Sequence, residues 1–209
     1  MPFLPLNRDL ERLCRQASLM CVMSLSLLAI GCMSLKQYVD PTLPKVTVAD
    51  LKQPEARQSV QLFFEYQTKG ATNAKATEEV RPMLLTTLKK ANMFSDVVMA
   101  PASADRKLFI TINNFPITKD VASKGVLTGL TLGLAGAMVT DGFQLNATYD
   151  VPGQTEVKHS YQHALHSTIG NADGPANLTP VAKGEAMPQI VDGMVLNLLN
   201  DMSRAGELN

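Results

Sequence analysis

The chain of 209 residues is long enough for one domain with a tail at each end, and 45% of its residues are hydrophobic, which suffices for a core. Aromatic residues make up only 5% and Trp is absent, so the core is expected to consist of Leu, Val, Ile, Met and Ala. The 19 basic residues balance the 19 acidic ones, and without clustered Lys and Arg the chain is not expected to bind nucleic acid.

The first 31 residues have the composition of a secretory signal peptide. Three arginines lie within the first 15 residues, an uncharged apolar stretch follows at residues 17–30, and Cys32 comes shortly after it. At about 1.5 Å per residue, a helix of this stretch would span ~21 Å, which is short of the ~30 Å hydrocarbon core of a bilayer. The pattern therefore favours a cleaved signal peptide at residues 1–31 over a permanent membrane helix or a buried N-terminal helix.

Residues 29–32, Ala-Ile-Gly-Cys, resemble the lipobox of bacterial lipoproteins, in which the cysteine is lipidated and becomes the first residue of the mature chain. Cys14 and Cys21 both precede the cut, so the mature chain would keep Cys32 alone, with no disulfide and no thiolate metal site. Met33 follows the cysteine where Asp would imply retention in the inner membrane. The resemblance thus implies lipid on Cys32 and a place on the periplasmic face of the outer membrane.

Residues 32–57 are predicted to be a lipidated N-terminus followed by an extended tether. Pro41, Pro44 and Pro54 fall within this stretch and no regular period runs through it. The remaining residues, 58–209, are expected to form a single periplasmic domain.

Alternation and helical periodicity predict the first elements of that domain. Residues 58–66 alternate as a strand, and residues 74–91 carry one apolar face at intervals of three and four, as a helix does. Pro82 is expected to kink this helix or to mark a late start. A short strand at 97–99 and a longer one at 107–115 follow.

The second half of the domain is predicted to be a hairpin and a helix. Residues 143–150 and 155–168 form the two strands of the hairpin, and residues 182–204 form the helix, with Thr179 as its candidate cap and Gly206 as its end. Two helices with one apolar face each must pack on a sheet. The expected fold class is therefore α+β: a two-layer sandwich, with a mostly antiparallel sheet of about five strands and two main helices packed on it.

The most unusual segment of the mature chain is an uncharged, glycine-rich run that covers residues 125–140. Its glycines, which are possible packing or interaction residues, are Gly125, Gly129, Gly133 and Gly136. The first three have helical spacing, which permits close backbone contact. The run is either a buried connection, which we favour, or a segment that touches the membrane or a partner. It lacks the Gly-Lys-Ser/Thr ending of a nucleotide loop, so no cofactor is expected.

All three histidines, His159, His163 and His166, lie in the predicted return strand of the hairpin. On a strand, His159 and His163 would share a face ~13 Å apart and His166 would lie on the other face. That spacing is too wide for a shared metal, so the three are interpreted as surface residues and no metal is expected. The chain also lacks Gly-x-Ser-x-Gly and carries its carboxylates singly, so no catalytic residue is assigned.

Four motifs resemble a group of small proteobacterial lipoproteins to which no activity is attached. They are Tyr-Val-Asp-Pro at 38–41, Phe-Phe-Glu-Tyr-Gln-Thr-Lys-Gly at 63–70, Leu-Thr-Gly-Leu-Thr-Leu-Gly at 127–133 and His-Ser-Thr-Ile-Gly-Asn at 166–171. The resemblance covers most of the mature chain and implies that the protein is a lipoprotein located in the bacterial envelope. More loosely, the order of elements is similar to that of small α/β lipoproteins that serve secretion or transport machines as assembly factors.

The functional expectation is a lipid-anchored periplasmic binding or assembly module of the outer membrane that is not an enzyme. Its partners would be the membrane, through the N-terminal lipid, and an envelope protein. Two alternatives stay open. One is an immunity lipoprotein that neutralises a periplasm-acting toxin in a tight one-to-one complex. The other is a periplasmic enzyme, which predicts a cleft with His159 or His163 beside a buried carboxylate.

Overall fold

The computed structural model describes residues 34–118 and 136–209. The predicted lipidation site Cys32 and three glycines of the run, Gly125, Gly129 and Gly133, lie outside the described residues.

The described residues form seven strands and two α-helices. The strands are β1 (Leu35–Val39), β2 (Val60–Thr68), β3 (Ala71–Thr72), β4 (Val97–Val98), β5 (Arg106–Pro116), β6 (Ala137–Asp150) and β7 (Val157–Ile169). The helices are α1 (Ala74–Ala91) and α2 (Ala186–Ala205). A short 3-10 helix at Val48–Asp50 lies between β1 and β2.

The strands form one open sheet in the order β1-β7-β6-β5-β2-β3, with β4 paired to β2 beside this path. Neighbouring strands run antiparallel, except that β2 runs parallel to β5 and to β4. The parallel pair is joined through α1, the crossover that parallel strands require. The α+β two-layer class is confirmed, with seven strands where about five were expected.

The core lies between the two helices and one face of the sheet. Strand residues that face the helices alternate along each strand, so that Leu62 of β2 lies opposite Leu108 of β5 and Ile112 of β5 lies opposite Leu145 of β6. The helices contribute fully buried side chains to the same cluster, including Leu84, Leu88, Ile190, Met194 and Leu198. Each such side chain stabilises the fold by roughly 1.5–3 kcal/mol relative to exposure.

Local capping explains where α1 begins and ends. The Asn73 side chain accepts a hydrogen bond from the Ala76 N–H at 3.0 Å, which satisfies an N-terminal donor. Asn92 ends the helix in the left-handed conformation, with a φ of 56°. Pro82 lies inside α1 without ending it, and the predicted helix 74–91 is confirmed at both ends.

The start of α2 was predicted wrongly. The helix begins at Ala186 and not at residue 182, and Glu185 occupies the cap position in place of Thr179. Gly184 explains the difference, because its φ of 86° lies in the left-handed region and interrupts a right-handed helix at that point. The predicted end is confirmed, since Gly206 closes the helix with a φ of 75°.

Much of the segment predicted as an extended tether packs on the domain. β1 pairs with β7 along its whole length, so residues 35–39 belong to the sheet. Leu51 is buried in the core, and the Ser203 hydroxyl of α2 donates to the Lys52 carbonyl. The prolines limit regular structure here, but they leave aliphatic side chains such as Leu43 free to pack against the core.

The described end of the glycine run is a strand and not a helix, because residues 137–140 belong to β6. Gly136 comes just before β6 with a φ of 59°. A Cβ atom on Gly136 would lie 2.2 Å from the backbone nitrogen of Ala172. Only a glycine therefore allows these two backbone segments to approach as they do, whereas the two interpretations of the run as a whole stay predictions.

Candidate functional site

A groove of about 730 Å³ lies between the segment 39–48, the segment 177–181 and one side of α2. We call this cavity the His163 groove. Most of its walls are apolar, and they include Pro41, Leu43, Pro44, Val46, Leu178, Val181 and Leu196. Its size falls within the range of roughly 300–1,000 Å³ that is usual for ligand sites.

The imidazole ring of His163 lines this groove and lies on the side of β7 that faces the helices. The residue is only 8% exposed, and its Nδ1 accepts a hydrogen bond from the Ala164 N–H at 3.0 Å. Burial lowers the pKa of His163, so the ring is neutral and carries its proton on Nε2. Within the described ranges, no group forms a hydrogen bond with that Nε2–H, and the atom is not among the buried polar atoms left without a partner, so it is accessible to solvent or to a ligand.

Gly193 of α2 allows the helix to pass close over this imidazole. A Cβ atom at position 193 would lie 3.3 Å from both Cδ2 and Nε2 of His163. Glycine inside a helix is less favourable than alanine by about 1 kcal/mol. Its presence in the apolar stripe of α2 is the one sequence signal that could have indicated a close approach here.

Two aspartates, Asp40 and Asp192, are among the residues that line the His163 groove, and the carboxylates of both accept hydrogen bonds. Asp40 accepts from the Thr42 N–H at 2.8 Å and from the His166 Nε2–H at 3.1 Å. Burial by itself would raise the pKa of Asp40, but hydrogen bonds from Thr42 and His166 outweigh it and hold the pKa below its ordinary value. Asp192 accepts from the Thr87 hydroxyl of α1.

The outer edge of β1 also faces this region through Val39, which lines the groove. The Asp40 N–H donates to the Ala164 carbonyl at 3.0 Å, which identifies the even-numbered residues as those whose amides point toward β7. Gln37 points outward, and its carbonyl accepts from the Val181 N–H at 2.8 Å. Val39 has the same orientation, and its N–H and C=O have no backbone partner in the part of the chain that the structure describes.

The other two histidines are hydrogen-bonded to carboxylates and are mostly buried, not surface residues as predicted. His159 Nε2 lies 2.8 Å from Glu207, and His166 Nε2 lies 3.1 Å from Asp40, with each histidine side chain less than one-fifth exposed. His166 was predicted to lie on the opposite face of β7 from His159 and His163. This is confirmed, because His166 is hydrogen-bonded to Thr140 on the face away from the helices. The partner carboxylates are 48 and 126 residues away in sequence, so spacing along β7 could not reveal them.

The arrangement around His163 meets part of what the enzyme alternative predicted, because the imidazole and two aspartates line one groove. However, Nδ1 is held by a backbone N–H and not by a carboxylate. Among residues 34–118 and 136–209, no hydroxyl is hydrogen-bonded to the ring, whereas a catalytic base must reach its nucleophile. The geometry suits a donor to a ligand, and the expectation of a non-catalytic protein stays a prediction.

A smaller cavity of about 290 Å³ contains Asp141 and Tyr66 near the start of α2. Burial raises the pKa of Asp141. Burial and the nearby charge of Asp141 raise the pKa of Tyr66 to about 12. Over the described ranges, no cluster of three or more potential ligands could hold a metal, and no helix is long and apolar enough to cross a membrane.

The sheet face away from the helices carries an exposed aromatic pair. Phe63 of β2 and Phe109 of β5 stack with ring centroids 4.7 Å apart, and they are 38% and 40% exposed. The pair follows from the register, which places these residues directly opposite each other on neighbouring strands.

No protein-family model matches the sequence, and no curated protein sequence is similar to it. Similar solved structures include PelC from Paraburkholderia phytofirmans, a dodecamer, which is 11% identical over 81% of this chain and 98% of that one, with a TM-score of 0.36. A Helicobacter pylori homolog of neuraminyllactose-binding hemagglutinin is 12% identical over 75% of this chain and 91% of that one, with a TM-score of 0.41. Rare lipoprotein B from Shewanella oneidensis is 10% identical over 70% and 90%, with a TM-score of 0.28.

Proposed function

We propose that this protein is a lipid-anchored binding module on the periplasmic face of the outer membrane, and that the His163 groove receives its partner. The observation that carries the proposal is the mostly apolar groove lined by His163, whose accessible Nε2–H has no hydrogen-bond partner among the described residues. A ligand that accepts a hydrogen bond from this N–H would gain about 0.5–1.5 kcal/mol net from that bond.

The anchor is assigned to Cys32 on the signal pattern and the lipobox. β1 begins at Leu35, only three residues later. An extended chain advances at most about 3.6 Å per residue, so the lipid would hold the edge of the sheet within roughly 11 Å of the attachment point. The domain would therefore lie directly against the membrane surface.

Mass spectrometry of the protein purified from membranes tests the anchor. We expect a mature chain that begins at Cys32 and carries three acyl chains. Cys32→Ser should give an uncleaved precursor or a soluble species, whereas Cys21→Ser should be processed normally, because Cys21 lies in the signal peptide. A mature chain with a different first residue, or without lipid, would contradict the proposal.

Membrane fractionation tests the proposed location in the outer membrane. The wild-type protein should sediment with the outer membrane, and Met33→Asp should move it to the inner membrane if the residue after the cysteine controls sorting. Equal distribution of both proteins would show that Met33 does not determine the address.

Photo-crosslinking in cells tests whether the groove contacts a partner. A photoreactive residue in place of Lys45, which lines the groove, should give a discrete adduct. The same residue in place of Lys75, an exposed position on α1, serves as the matched control and should give none. The Lys45 adduct should also disappear with His163→Phe, which keeps a ring but removes its donor. An adduct that persists in that variant would contradict the assignment of the groove.

A further inference from the structure

We infer that the His163 groove takes an extended, apolar peptide segment, which adds to the sheet as a further strand beside β1. The inference rests on the proposed function of the groove as a binding site, and it specifies the chemistry of the ligand.

The main chain of β1 offers the first part of this site. Val39 directs one N–H and one C=O away from β7, and neither group is hydrogen-bonded to the described backbone. A donor and an acceptor on one residue of an edge strand match the acceptor and donor of a residue in a second extended chain. Addition of a strand to an exposed sheet edge is an established mode of peptide recognition.

Only a short part of the β1 edge is free to pair, and this restricts the position of the peptide. On one side of Val39, the Gln37 carbonyl is already occupied by Val181. On the other side, Pro41 has no N–H to donate. The peptide therefore pairs at Val39 and continues into the groove, where His163 Nε2–H is the next donor for one of its carbonyls.

The walls and charges of the groove favour a neutral peptide over an anionic amphiphile. Two acidic residues, Asp40 and Asp192, are among the residues that line the groove, and Lys45 is the one Lys or Arg among its described lining residues. A fatty acid or phosphate would meet more negative than positive charge there. Peptide carbonyls carry no net charge, and apolar side chains on alternate positions of an extended segment can contact Leu43 and Leu178.

The test is a binding screen of the lipidated protein in detergent against a random library of heptapeptides capped at both ends. We expect the bound peptides to be rich in Val, Ile, Leu and Thr. The strongest binder is then resynthesised with N-methyl groups on its central residues, which removes main-chain donors and keeps the side chains. We expect N-methylation to weaken binding about tenfold or more, as the loss of main-chain hydrogen bonds predicts.

Two proline variants test the edge of β1 with the same chemistry. Val39→Pro removes an outward N–H that lines the groove and leaves the pairing with β7 intact. Gln37→Pro removes an equivalent outward N–H outside the groove and is the matched control. Binding should weaken about tenfold with Val39→Pro and with His163→Phe, and stay unchanged with Gln37→Pro, while thermal melting confirms that each variant is folded.

Several results would overturn the inference. They are a library without binders, a peptide that tolerates N-methylation and Val39→Pro, or palmitate binding in the groove in competition with the peptide. Failure of the proposed anchor is observed separately, in the mass of the mature N-terminus. A lipidated, outer-membrane protein whose groove binds no capped peptide would refute this inference alone.

Discussion

Replacing Gly136 with alanine should destabilise the protein by more than the same change at a glycine with free space around it. Gly136 combines a left-handed φ of 59° with a backbone neighbour, Ala172, 2.2 Å from the position of a Cβ atom. Gly153, in the turn between β6 and β7, has a φ of 81° and no atom within 4 Å of that position. A comparison of the two variants therefore separates the cost of a left-handed backbone from the cost of a steric clash with the neighbouring backbone.

The magnitude follows from these two terms. A non-glycine residue in the left-handed region costs roughly 1–2 kcal/mol, which both variants incur. Overpacking adds about 1–3 kcal/mol at Gly136 alone, because the neighbouring backbone must move. The expected loss is thus about 2–5 kcal/mol for Gly136→Ala and about 1–2 kcal/mol for Gly153→Ala.

Thermal melting and urea unfolding of the two purified variants measure the difference. In a chain of this size, 1 kcal/mol corresponds to a change in melting temperature of about 2–4 °C. Gly136→Ala should therefore melt about 2–12 °C below Gly153→Ala. Equal melting temperatures for the two variants would show that the approach to Ala172 is not required, and the packing role of Gly136 would be wrong.

Three further predictions concern stability. Asp141→Asn should raise the melting temperature at pH 7, because burial disfavours the charged carboxylate, and the gain should vanish near pH ~3, where the acid is protonated in both states. The lowered pKa of His163 means that the unfolded chain binds the proton more tightly, so the free energy of unfolding should fall as pH drops below 6.5, and His163→Phe should flatten that part of a urea titration. Leu198→Ala, at a position with no exposure, should cost about 2–5 kcal/mol in urea unfolding, whereas Leu35→Ala, at 63% exposure, should change it by under about 0.5 kcal/mol.

The elements that could be predicted from the sequence are those with local signals. α1 has a capping asparagine at Asn73, a continuous apolar face and a second asparagine that ends it, and all of these lie within 20 residues. The hairpin of β6 and β7 has long alternating strands and a short turn at Gly153. Short-range patterns of this kind indicate the type of element without knowledge of its tertiary contacts.

The elements that could not be predicted depend on contacts between distant segments. β1 is five residues long and exists as a strand only through pairing with β7, at residues such as His166 that follow Tyr38 by more than 120 positions. The prolines at 41, 44 and 54 and the lack of a regular period in residues 32–57 therefore indicated a tether. β3 is only two residues long and likewise depends on its pairing with β2, so β1 and β3 are the two strands missing from the expected five.

The candidate site shows the same limit more strongly. Val39, His163 and Gly193 come from three segments that only the fold brings together. His163 was singled out from the sequence as a member of a cluster, but its burial depends on α2 lying close over the ring at Gly193. The spacing of residues along a helix or strand indicates the face from which each side chain points. It does not indicate which other element packs over that side chain.

The proposed anchor precedes β1 by three residues and the proposed binding edge lies at the end of β1, so the distance between them is limited. Four residues separate Leu35 from Val39, which at ~3.3 Å per residue is about 13 Å along β1. Added to the short connection from Cys32, the distance places the free edge at Val39 within roughly 25 Å of the lipid attachment. A module held in this way can capture an extended segment only where that segment runs close to the membrane. On these two proposals together, the expected partner is an envelope protein with an exposed apolar strand near the inner surface of the outer membrane.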